Sequence, residues 1–169
     1  MLEFCYTGDY EIVDDGEGTN LGRAEDGFLQ HYHAARIAVQ YGIKDMESYA
    51  LKKLALFLST AFQELIVSPA THSLQFLQLV VSTWYGSKKL VGHAPRFLTG
   101  RSDQPVLRSP ISLAICKAAA DIWADTDVTG PMEKVRIKKG LQCLCAEWEA
   151  FAAEFAPWMV GNATDFRLV

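Results

Sequence analysis

The chain has 169 residues, half of them apolar, with 16 lysines and arginines against 20 acids for a net charge of −4. That length suits one domain or one and a half small ones, and the apolar share is enough for a sizeable core, so a soluble globule is expected. The richest apolar runs, Leu54 to Val67 and Leu74 to Tyr85, fall short of the ~20 residues of a membrane span, and the N-terminus has no secretory pattern, so membrane and secreted classes are excluded and an intracellular site, cytoplasm or nucleus, is expected.

In chain order, Tyr10 to Val13 reads as a short marginal strand. Residues 14–27 come next with four glycines and five acids, the composition of a mobile surface loop. From Phe28 the spacing predicts a helix, with Ala34, Ile37, Ala38 and Tyr41 on one face and Gly42 at its end. Asp45 is expected to cap a second helix that buries Met46, Ala50, Leu54 and Phe57, with Leu51 and Leu58 beside them, to about Phe62; Pro69 separates it from the next apolar run. A third helix, about 71–85, is apolar on most sides and should be central. Residues 86–109 hold Gly86, Gly92, Pro95, Gly100 and Pro105 without a sustained period, and read as a long loop and the best internal boundary. A fourth helix from Pro110 puts Ile111, Ile115, Ala118 and Ile122 on one stripe and stops in the polar run Asp125 to Thr129. The last, from near Pro131, has Gly140 as a place to bend, carries the stripe Leu141, Leu144, Cys145, Trp148, Phe151, Ala152 and Phe155, and ends at Pro157. The fold class is therefore mainly α, with about five helices and one marginal strand.

Charge is unevenly spread. Residues 1–30 carry eight acids against Arg23 alone, whereas Lys88, Lys89, Arg96, Arg101 and Arg108 mark a basic segment at 86–109, and Lys134, Arg136, Lys138 and Lys139 another at 132–139. These segments suit an acidic partner or a phosphate backbone, or are simply solvated surface. Cys5, Cys116, Cys143 and Cys145 are too few and too uneven for a disulfide framework and read as small apolar core residues. His31, His33, His72 and His93 lack metal-ligand spacing, and the acidic loop lacks the alternating ligands of a calcium loop. No serine-hydrolase elbow, phosphate loop or dinucleotide turn occurs, so no catalytic residue, metal or cofactor is assigned. Glu147 and Glu154 flank the last stripe and read as its solvent side.

Two blocks carry a resemblance: Leu-Glu-Phe-Cys-Tyr-Thr-Gly-Asp-Tyr at 2–10, and Arg-Ile-Ala-Val-Gln-Tyr-Gly-Ile at 36–43 followed by Met46, Ala50 and Leu54. Together they resemble the C-terminal half of a fungal-type BTB/POZ domain. The resemblance implies a helix end turning through Tyr-Thr-Gly into a short strand, then two closing helices, so that 1–65 is a partial BTB/POZ-like region and 66–169 a helical extension. It also implies a non-catalytic protein-protein interaction module. In the family dimerisation uses N-terminal elements and docking on cullin ubiquitin ligases uses residues just before the block matched here; both surfaces are largely missing, so adaptor activity is not carried over.

The expected partner is another protein or a second copy. Leu2, Phe4, Tyr6, Tyr10 and Ile12 form an apolar run that lacks the family's covering sheet, and a lone strand is a template for pairing. Trp158, next to Pro157 at a helix end, is a candidate anchor. The alternatives are a nucleic-acid-associated regulator using 86–109 and 132–139, tested by salt-sensitive binding, and an enzyme of unknown class, tested by a perturbed acid or histidine in a closed pocket.

Overall fold

A computed structural model describes residues 9–11, 18–66, 70–86, 110–125 and 131–159. Among them are six helices and no strand: α1 Asn20–Tyr41, α2 Lys44–Ile66, α3 Ala70–Gly86, α4 Pro110–Asp125, α5 Pro131–Glu147 and α6 Glu149–Met159. Tyr10 and Glu11 belong to no regular element, and the rest of the expected strand, Ile12 and Val13, lies outside the described residues, as do most of 86–109 and Pro69.

The mainly helical expectation holds, with corrections at the helix ends. α1 starts at Asn20, eight positions before Phe28, inside the stretch expected to be loop. Thr19 takes extended backbone angles and its side chain accepts the Gly22 N–H at 3.2 Å, which starts the helix. Glycine costs an isolated helix about 1 kcal/mol, but here burial outweighs that cost. Ala24, Gly27 and Phe28 are buried, and a Cβ added at Gly27 would stand 2.5 Å from Phe57 Cζ, so any larger residue there would push the Phe57 ring of α2 aside. At the other end Gly42 sits at φ +68° and its N–H and that of Ile43 return to Val39 and Ala38, the expected stop.

The buried face of α1 is also rotated from the expected one. Ala24, Phe28, His31, Ala35 and Ala38 face inward, while Ile37 and Tyr41 are 37% and 63% exposed. On α2, Met46, Ala50, Leu54 and Leu58 are buried as expected, and the stripe continues through Ala61, Phe62 and Leu65. Asp45 lies in the first turn of α2, where a carboxylate suits the helix dipole, and Lys44 already belongs to the helix.

α3 touches every other helix, which makes it central as its all-round apolarity predicts. Ser73 Oγ donates to the Leu65 carbonyl at 3.1 Å and ties its start to the end of α2. The α4 stripe Ile111, Ile115, Ala118 and Ile122 is buried throughout. α5 does not break at Gly140; instead that glycine lets α5 approach α3, since a Cβ there would meet Leu74 Cδ2 at 2.6 Å. The division falls at Trp148, one residue wide: its N–H donates to Leu144 and its carbonyl accepts from Ala152, both at 2.9 Å. Pro157 does not end α6, which runs on to the buried Met159.

One cluster of buried apolar side chains takes residues from all six helices, and it crosses the boundary expected near residue 65, where Phe62 tilts against Phe76 with centroids 4.9 Å apart. No helix among the described residues is long and apolar enough to cross a membrane.

Candidate protein-interaction site

Of the residues expected to meet a partner, Leu2, Phe4, Tyr6 and Ile12 lie outside the described residues. Tyr10 is described, and the chain covers it itself: only 8% of its surface is exposed. α1 contributes His31 and α2 contributes Tyr49 and Lys53 to a cleft around it. Tyr49 and His31 meet the Tyr10 ring edge-on, with centroids 6.1 and 5.7 Å away, and Lys53 Nζ lies 4.8 Å from its centre. Ala35 and Ala50 complete this second, smaller apolar cluster.

The hydrogen bonds of the cleft are directional. Tyr10 Oη lies 2.7 Å from His31 Nδ1. Burial raises the Tyr10 phenol to about 12, and burial with the Lys53 cation lowers His31 to about 4, so near neutral pH a neutral phenol and a neutral imidazole share this hydrogen bond, the tautomer of the ring deciding which of them donates. Lys53 Nζ donates to Asp9 Oδ1 and, at 3.1 Å, to the Tyr10 carbonyl. The same carboxylate oxygen accepts the Tyr10 N–H at 2.6 Å. Hydrogen bonds from Lys53, Tyr49 and the Tyr10 backbone hold Asp9 at about 2. Burial alone would lower Lys53, but its hydrogen bonds to Asp9 and Tyr49 outweigh that and raise it.

Trp158 is half-buried against the core, and its Nε1, like that of Trp148, is buried without a hydrogen-bond partner among the described residues. Cys116 and Cys145 are buried as expected, and burial raises the Cys145 thiol to about 11; Cys143 is exposed instead. It stands with Glu147 and Trp148 of the α5–α6 junction and Gln78 and Ser82 of α3 around a groove of about 250 Å³, below the ~300–1,000 Å³ usual for a small-molecule pocket. Glu154 is not a solvent-side residue, because it accepts the Tyr85 hydroxyl at 2.7 Å, and burial and this carboxylate push that phenol far up. On the basic stretch of α5, Arg136 and Lys139 are exposed, while Lys138 Nζ lies 4.6 Å above the Trp123 ring.

The exposed side of α1 carries His33, Arg36, Ile37, Gln40 and Tyr41 on two successive turns. Spacing alone puts Ile37 and Tyr41 in the core, and nothing in it signals otherwise: a helix pattern reports a period, not which of two overlapping stripes is covered. No protein-family model, curated protein or solved structure matches the chain.

Proposed function

We propose that this protein is a non-catalytic protein-interaction module of the kind its BTB/POZ-like blocks imply, working inside the cell by docking another protein on the exposed face of α1. The observation that carries this reading is the pair Ile37 and Tyr41, one turn apart and 37% and 63% exposed, with Arg36 and Gln40 beside them. An aromatic ring and a branched apolar side chain next to an arginine is the composition of an interface hot spot, whereas apolar residues scattered singly need no explanation.

The test compares affinity purification on the wild-type chain and on an Ile37→Glu/Tyr41→Ala variant, with circular dichroism confirming equal helix content. Proteins retained by the first and lost by the second are the expected result. Identical retained sets would remove this face from the reading.

A further inference from the structure

Asp9 and Tyr10 belong to no helix, yet α1 and α2 hold them as a receptor holds a ligand. The phenol is met by His31 at 2.7 Å, the Tyr10 carbonyl by Lys53 at 3.1 Å, the Asp9 carboxylate by the same ammonium group, and the ring by the edges of His31 and Tyr49. Two consecutive residues thus satisfy the cleft in shape, charge and hydrogen bonding. Every one of these contacts comes from α1 or α2, and residues 11–18 join Tyr10 to the Thr19 cap of α1. The cleft therefore has no means of distinguishing the chain's own Asp-Tyr from the identical pair on a second copy. Eight connecting residues set an upper limit of roughly 26–29 Å on the reach of Tyr10 from the Thr19 cap.

We propose that the α1–α2 cleft is a receptor for an Asp-Tyr segment, and that a second copy of this chain supplies that segment, the two copies exchanging residues 9 and 10 reciprocally. Exchange preserves each of the contacts named above, so for these contacts the balance is set by chain entropy and protein concentration. The proposal shares the interaction class with the reading above but uses a separate surface, so failure at Ile37 and Tyr41 leaves it untouched, and the reverse.

A complementing pair tests it. A Tyr10→Ala chain keeps the cleft and lacks the insert; a Lys53→Glu chain keeps the insert and repels Asp9 from its own cleft. Each alone should sediment as a monomer. An equimolar mixture should form a one-to-one dimer that excess peptide spanning residues 7–13 dissolves. A mixture of folded chains that stays monomeric up to ~1 mM, the order of the effective concentration of a tethered segment, overturns the proposal. Should either variant lose its helical signal, the wild-type chain decides: at ~1 mM it should show a dimer fraction that the same peptide removes, and its absence is equally fatal.

Discussion

His31 is the side chain whose chemistry the fold alters most usefully. Its ordinary value of 6.5 falls to about 4 because burial disfavours the cation, with Lys53 adding repulsion. Between those values the unfolded chain binds a proton that the folded chain refuses, so the stabilising contribution is complete above pH 6.5 and is lost as pH falls toward 4. At 1.36 kcal/mol per pH unit the loss is of order 3 kcal/mol, and little solvent screening reduces it because the residue is only 6% exposed. Asp9 acts lower, between 3.8 and about 2, where protonation removes its bonds to Lys53 and Tyr49. Urea midpoints measured from pH 7 to pH 3 should therefore fall in the wild type between 6.5 and 4, and a His31→Gln variant should fall less across that interval. Parallel curves would mean that His31 is charged in the folded chain. At pH 7, Tyr10→Phe should cost roughly 1–3 kcal/mol, since it keeps the ring but leaves the buried Nδ1 without its hydrogen-bond partner.

Among the elements, α3 and α4 are legible in the sequence because their apolar residues leave no choice of face, whereas α1 offers two. Ile37 and Tyr41 outrank His31 and Ala35 in apolarity, and Ala38 belongs to both stripes, so hydropathy favours the first stripe while the chain buries the second. The start of α1 is hidden because Gly22 and Gly27 look like loop residues until the contact of Gly27 with Phe57 is seen. The Tyr10 cleft is half legible: an aromatic needing cover can be read, but the residues that cover it, 21 to 43 positions away, cannot. Gly140 gives a test of the same logic. Alanine there favours the helix by about 1 kcal/mol, yet its Cβ would press on the buried Leu74 at 2.6 Å, and overpacking costs about 1–3 kcal/mol, so Gly140→Ala should lower the melting temperature. A rise would show that Leu74 yields freely. On α6, Phe155 is fully buried and stacked on Phe151 with centroids 5.4 Å apart, so Phe155→Ala should cost roughly 3–5 kcal/mol. The only partly buried Trp148, with its indole N–H unpaired among the described residues, should lose less on truncation, and denaturation midpoints in the reverse order would place the core elsewhere.

For the whole molecule, the question is whether residues 1–65 stand apart from 66–169. α2 alone argues against independence. Leu54, Leu58, Phe62 and Leu65 belong to the same cluster as Phe76 and Leu77 of α3 and Ile111 and Ile115 of α4. Uncovering four such side chains costs about 1.5–3 kcal/mol each, in total comparable with the ~5–15 kcal/mol that holds an entire domain together. The first part is therefore expected to need the second to keep its fold, and the second to need the cover of Phe76. The placement of tryptophan makes this measurable, because Trp84, Trp123, Trp148 and Trp158 all lie beyond residue 66 while α1 and α2 contain none. Indole fluorescence therefore reports on the C-terminal part alone, and far-ultraviolet circular dichroism reports on all six helices. Unfolding in urea followed by the two signals should give superimposable transitions with one midpoint and one slope. A dichroism transition with a separate step that fluorescence does not see would mean that α1 and α2 melt alone, and that the face bearing Ile37 and Tyr41 rides on a unit independent of the rest.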